Sequence, residues 1–214
     1  TRTRSPSRFS PKLSQSETVN LSVTQRIDAV ILAAGESTRT GDQNKLLLEF
    51  GNKPLVAHAV DAALGSMTQE VHVITGFQDD RLTAALGSRP VNFIHNENYH
   101  TGIGSSIRCA IKNLSADVDG VVLCLADMPR VRANHLDALI GRFTGHAVCA
   151  FYFESQRGHP ILFPKNWFAR LMTLQGDSGA RSLLHEATET VTAIAASNDA
   201  ILRDIDRLED FSRN

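Results

Sequence analysis

Ala29-Val30-Ile31-Leu32-Ala33-Ala34-Gly35-Glu36-Ser37-Thr38-Arg39-Thr40-Gly41-Asp42-Gln43-Asn44-Lys45 is the stretch on which the fold turns. Its first four residues are strand formers, and a run of that kind bounded by a glycine turn predicts a buried strand ending at Leu32. Two small residues and Gly35 follow. Small side chains and glycine let a backbone approach a ligand closely and turn successive N–H groups toward it. Arg39 and Lys45 add two positive charges to the same loop. A strand, a tight loop of small residues and two cations suit a polyphosphate. The same residues also describe an ordinary βα turn with charges on its surface. Two familiar phosphate loops are excluded, since the chain lacks G-x-x-x-x-G-K-[ST] and has no G-x-G-x-x-G after this strand.

The whole string resembles the signature of the nucleotidyltransferases with a molybdenum-cofactor-type (MobA-like) fold, L-A-A-G-x-S-x-R-x-G followed by Lys. Here it reads Leu32-Ala33-Ala34-Gly35-Glu36-Ser37-Thr38-Arg39-Thr40-Gly41, then Lys45. Two departures are visible. Thr40 stands where the family usually has an apolar residue, and the step from Gly41 to Lys45 is longer than in many relatives.

Composition bounds the rest. The chain has 214 residues, 42% hydrophobic and 21% charged, enough for a sizeable core. A formal net charge of −1 argues against bulk electrostatic binding to nucleic acid. No apolar run approaches the roughly 20 residues of a membrane span. Cys109, Cys124 and Cys149 form no C-x-x-C pair and read as reduced thiols of a cytoplasmic protein. Residues 1–25 are rich in Arg, Ser and Pro with no acid before Glu17, which predicts a flexible tail. That bias also suits an organellar transit peptide, although a plain disordered extension fits it better. Residues 26–214 are expected to form a single nucleotidyltransferase domain.

From Arg26 onward, strands and helices alternate. Strands are expected at Val71–Ile74, Val91–Ile94 and Val121–Ala126, and helices from Pro54, from Gln78 to Leu86 and from Ser105 to Leu114. His72 reads as a strand histidine and not as a ligand. Alternation of this kind implies parallel pairing, a Rossmann-like sheet and a three-layer α/β/α sandwich. The last third breaks the pattern with a small β-hairpin insertion. Its strands are expected at Ala147–Phe153 and His159–Phe163, around a turn at Gln156-Arg157-Gly158. A helical stretch from Trp167 to Leu174, a helix Ser182–Ala187 and a strand Val191–Ala195 close the chain.

Three further segments carry candidate chemistry. Asn96-Glu97-Asn98-Tyr99-His100-Thr101-Gly102-Ile103-Gly104-Ser105-Ser106 is rich in donors and opens a helix. It reads either as a serine-capped helix start or as a nucleoside-binding loop at the carboxyl edge of the sheet. Asp127 ends the fourth strand, where a carboxylate suits Mg²⁺ or serves as a turn residue. Asp177 or Ser178 could cap the helix that follows Gly176-Asp177-Ser178-Gly179-Ala180-Arg181, leaving N–H groups for an anion.

The resemblance covers about Arg26 to Phe211 and implies roles for these positions. It implies that Arg39, Lys45 and Asp127 are catalytic, and that Leu32, Ala33, Ala34, Gly35, Asn96, Gly102 and Ser106 join Arg39 and Lys45 in nucleotide binding. Asp127 in Leu125-Ala126-Asp127-Met128-Pro129 would hold Mg²⁺, with Asp206 of Asp204-Ile205-Asp206 as a second carboxylate. His159, Asp177, Ser178, Gly179 and Arg181 match the acceptor side of the molybdenum cofactor cytidylyltransferase branch. The implied reaction transfers CMP from CTP to a molybdopterin-type acceptor with release of pyrophosphate, with a molybdoenzyme or its maturation chaperone as the protein served. Guanylyl transfer, transfer to a sugar or alcohol phosphate, a non-catalytic binding module and an oxidoreductase of the same fold are the rival readings.

Overall fold

The computed structural model describes residues 25–36, 44–177, 179–186, 191–207 and 209–210. All but one residue of the expected N-terminal tail, and the loop residues Ser37 to Gln43, lie outside that set. Nine strands are described: β1 Ile27–Leu32, β2 Glu49–Phe50, β3 Lys53–Pro54, β4 Val71–Thr75, β5 Asn92–His95, β6 Gly120–Leu125, β7 Val148–Phe153, β8 Gln156–Pro164 and β9 Val191–Ala195. The α-helices are α1 Leu55–Leu64, α2 Asp79–Leu86, α3 Ile103–Asn113, α4 Ala133–Ile140, α5 Phe168–Leu171 and α6 Arg181–Glu186.

Seven strands form one sheet in the order β5-β4-β1-β6-β8-β7-β9. β5, β4, β1 and β6 run parallel, β8 is antiparallel to both its neighbours, and β9 pairs parallel with β7. The sheet is therefore mostly parallel, as the alternation of strands and helices requires, and the hairpin β7–β8 is built into it. β2 and β3 make a separate two-stranded ribbon.

Strand periodicity divides the core into two layers. Ile27, Ala29 and Ile31 of β1, Val122 and Cys124 of β6, and Cys149 and Phe151 of β7 face one side, where α1, α2 and α4 pack. Val30, Val121, Leu123, Val148 and Ala150 face the other, against α3, α5 and α6. Both faces are covered, so the central strands are mostly apolar and do not alternate with polar residues, Asp28 of β1 and His72 and Thr75 of β4 being the buried polar exceptions. Each fully buried Val, Leu, Ile or Phe contributes roughly 1.5–3 kcal/mol. No helix among the described residues is long and apolar enough to cross a membrane.

Three local expectations are corrected. Helix α3 starts at Ile103, so Gly102 and not a serine is its N-cap. Gly102 has φ +99°, and a Cβ there would lie 2.5 Å from Asp177 Oδ1. The hairpin turns at Glu154 and Ser155, both at positive φ, and Gln156-Arg157-Gly158 already belongs to β8. The third strand is shifted one residue, to Asn92–His95, by its pairing of His95 with Thr75.

Candidate functional site

The carboxyl ends of β1, β4, β5 and β6 lie on one edge of the sheet, and the loops that leave them frame a cavity of about 640 Å³. Leu32, Ala34 and Gly35 form one wall. Their path is fixed by backbone bonds from Ala33 N to Ile74 O (3.0 Å), Phe77 N to Ala34 O (3.2 Å) and Ala126 N to Leu32 O (3.3 Å). A Cβ added at Gly35 would meet nothing within 4 Å among the described residues, which leave space beside it. Ala33 is buried behind this wall and does not line the cavity.

Lys45 enters the cavity from a 3₁₀ turn, Lys45–Leu47. Asn44 anchors that turn from a nearly fully buried position. Its Oδ1 accepts from Leu46 N at 3.0 Å, and its Nδ2 donates to Phe77 O at 3.3 Å. The ammonium of Lys45 is 2.8 Å from Asp127 Oδ2 and 3.0 Å from Asp206 Oδ1. Burial pulls the Lys45 pKa down, but these two carboxylates outweigh it and hold the pKa above the ordinary lysine value. The long step from Gly41 therefore still delivers Lys45 to the centre of the site. Arg39 lies outside the described residues.

Asp127 follows β6, whereas Asp204 and Asp206 come from the far end of the chain. A backbone bond from Ile205 N to Asp127 O (2.9 Å) joins the two segments. One carboxylate oxygen from each of Asp127, Asp204 and Asp206 lies within 4.8 Å of the others. Burial and the neighbouring Asp127 and Asp206 raise the Asp204 pKa. Oxygen-only ligation by clustered carboxylates suits a hard divalent cation. Asp204 is a member the sequence reading missed, although it stands two residues before Asp206.

The loop that leaves β5 is a closed hydrogen-bonded unit. Asn96 is buried and donates through Nδ2 to Ser105 Oγ (2.9 Å) and Ser106 Oγ (3.1 Å), while its Oδ1 accepts from Asn98 N (3.1 Å). Asn96 therefore shapes the loop from beneath, and Gly102, Ser106, Tyr99 and His100 line the cavity. Tyr99 packs on Gly76, where a Cβ would lie 2.6 Å from the Tyr99 ring carbon Cγ.

A second cavity of about 690 Å³ adjoins the first, and Leu32, Ile103, Leu125, Asp177 and Asp204 line both. His159, Gly179 and Arg181 line this second cavity together with Asp177. Ser178 lies outside the described residues. Arg157, absent from that expectation, also lines this cavity, whose walls include Ile107, Leu123, Ile161 and Phe163. Burial pushes the His159 imidazole down to about 4, partly offset by a hydrogen bond with the Leu123 backbone. The ring nitrogen Nδ1 of His159 is buried without a hydrogen-bond partner among the described residues.

Comparison with known proteins agrees with the fold. The family described as the MobA-like NTP transferase domain matches residues 29–191. Nicotine blue oxidoreductase of Paenarthrobacter nicotinovorans is 26% identical over 195 residues, covering 87% of this chain and 95% of that protein. Bifunctional protein GlmU of Kineococcus radiotolerans is 36% identical over 115 residues, which is 52% of this chain but only 23% of its own length. Among solved structures, Rv0371c of Mycobacterium tuberculosis H37Rv superposes with a TM-score of 0.80 at 26% identity, covering 89% of this chain and 97% of that one. Its complex with manganese superposes with a TM-score of 0.69 at 23% identity, covering 81% and 89%.

Proposed function

Because this chain belongs to the family of MobA-like NTP transferase domains, we propose that it is a nucleotidyltransferase that transfers CMP from CTP to the terminal phosphate of a molybdopterin-type cofactor, with Mg²⁺ as the ion and the cytoplasm as the setting. The observation that carries the reading is the charge of the first cavity. Among its described lining residues, Glu36, Asp127, Asp177, Asp204 and Asp206 stand against Lys45. A triphosphate entering five carboxylates needs a cation to neutralise the approach. Asp127, Asp206 and Asp204 are the residues that would hold it. A manganese complex of a structural neighbour supports the use of a divalent ion in this fold.

The chemistry is an in-line displacement. A phosphate oxygen of the acceptor forms a bond to the α-phosphorus, the α–β bridging P–O bond breaks, and pyrophosphate leaves with that electron pair. An ionised phosphate nucleophile has no proton to lose, so the chain's residues serve to position and neutralise. Mg²⁺ would supply charge neutralisation and alignment of the phosphoryl oxygens. Gly35 leaves room for the triphosphate backbone, Lys45 and Arg39 would meet its oxygens, and Tyr99 with the Gly102–Ser106 turn would flank the nucleoside. On the acceptor side, apolar walls with Arg157 and Arg181 suit a flat heterocycle bearing a phosphate.

The direct test offers each NTP with molybdenum cofactor as acceptor and reads pyrophosphate. CTP-dependent release supports the reading, while release only with a sugar or alcohol phosphate replaces the acceptor. Ala34, buried in the loop wall, narrows the space that a purine would need. CTP is therefore expected to exceed GTP in kcat/KM by roughly tenfold to a few hundredfold, and Ala34→Gly to reduce that ratio without abolishing transfer. Equal use of GTP by the wild type would move the assignment to guanylyl transfer. Similarity to nicotine blue oxidoreductase along most of the chain favours one second reading, a redox enzyme. A nicotinamide- or flavin-dependent absorbance change without pyrophosphate would select it.

A further inference from the structure

We propose that Lys45 is the resident occupant of the metal seat, and that the divalent ion enters only as Lys45 leaves for the phosphates of the nucleotide. This rests on the reading that Asp127, Asp204 and Asp206 bind a metal. The ammonium lies 2.8 Å from Asp127 and 3.0 Å from Asp206, the same two carboxylates that the ion would need. The Lys45 side chain is 13% exposed, so its ammonium fills the space between them and does not merely skirt its rim. A cation with oxygen ligands at about 2.0–2.6 Å cannot sit there beside an ammonium, because the two positive charges would be roughly 3–4 Å apart.

The backbone of Lys45 has little freedom to retreat. Asn44 caps its turn, and Leu46 is buried directly behind it. The four-carbon side chain is the part that can swing. Gly35, whose Cβ position meets nothing within 4 Å among the described residues, lines the same cavity, so a bound triphosphate there offers a displaced Lys45 an anion that the ion does not take as a carboxylate ligand. Metal alone must expel the lysine into a cavity with no phosphate to receive it. With nucleotide present, the lysine exchanges a carboxylate partner for a phosphate partner. Metal and nucleotide binding are therefore positively coupled through this side chain, and the coupling is reciprocal. In the empty enzyme the lysine also screens Asp127 from Asp206.

The test measures Mn²⁺ binding by electron paramagnetic resonance, with Mn²⁺ alone and then with CTP. Lys45→Met is expected to bind Mn²⁺ at least tenfold more tightly than wild type without nucleotide, and to gain less on adding CTP. If Lys45→Met does not fold, Lys45→Gln, which also removes the charge, takes its place in the comparison. Asp127→Asn should abolish the tight binding in either background. Equal or weaker Mn²⁺ affinity in the lysine variants, with Asp127→Asn still abolishing binding, overturns the exchange. Mn²⁺ binding that survives Asp127→Asn overturns the metal reading beneath it.

Discussion

The two ends of the sheet carry charge clusters of similar composition and opposite use. At the amino end, the Arg26 guanidinium reaches Glu70 at 2.6 Å and Asp117 at 3.0 Å, and the Arg26 backbone N–H donates to Asp119 at 2.8 Å. Asp28, with no exposed surface, accepts from His72 Nε2 at 3.2 Å. These contacts tie the starts of β1 and β4 to the lead-in of β6. At the carboxyl end, Lys45 likewise sits between carboxylates, but they line a cavity. Asp28, Glu70 and His72 even bring ligand atoms as close together as Asp127, Asp204 and Asp206 do. Arg26, bonded into three segments, closes the first group, whereas the second adjoins open space. On the proposed function, a cation among carboxylates is a brace where packing closes over it and a binding site where room is left beside it.

The most forceful way to break this contrast is Asp127→Asn. On the carboxyl edge it should lower the rate of pyrophosphate release on the order of 10²-fold or more, with the unfolding midpoint little changed. Near wild-type turnover at limiting Mg²⁺ would show that this edge is a brace as well. Asp28→Ala tests the amino edge. It removes a buried acceptor from His72 and Glu70 and should cost about 2–3 kcal/mol. A fall in Tm of roughly 4–12 °C is expected, with kcat/KM of the folded protein retained. Loss of activity without loss of stability would make the amino edge functional.

The smallest expected effect concerns His159, which sharpens the contrast within the second cavity. Burial holds its folded pKa at about 4, below the ordinary 6.5 of a histidine. The unfolded chain therefore takes up the proton first, and stability falls as the pH drops from 6.5 toward 4. Because part of the residue faces the cavity, about 2 kcal/mol is expected over that window. Denaturant unfolding at pH 7 and pH 4.5 should show a smaller difference for His159→Gln than for wild type. An unchanged difference would mean that the ring does not titrate in a buried setting.

Local chemistry made some of this legible and left some hidden. The strand ending at Leu32, the carboxylate after β6 and the strand Val191–Ala195 each follow from runs of neighbouring residues. The start of α3 did not, because Ser105 and Ser106 look like caps. Contact between Gly102 and Asp177, 75 positions apart in the numbering, sets the turn there instead. The hairpin turn was hidden for a similar reason. Pairing of β8 with β6 and β7 fixes the register and leaves Glu154 and Ser155 at positive φ, a conformation that a sequence reading assigns to glycine. Asn44 was missed because nothing beside it in the chain indicates what it touches, and Asp204 because only the Ile205–Asp127 backbone bond brings it to the cluster that Asp206 was expected to join.

By itself, then, the sequence determined the main alternation of strands and helices but not the β2–β3 ribbon, together with the parallel core and a phosphate-suited loop, since periodicity and small residues act over a few positions. Only the tertiary structure decided which charges meet. Lys45 and Asp206 are 161 positions apart, and what joins them is a backbone bond between Ile205 and Asp127 at the edge of a sheet. Whether a carboxylate ends as a brace or a ligand depends on the space left beside it, and that space is set by packing from every part of the chain.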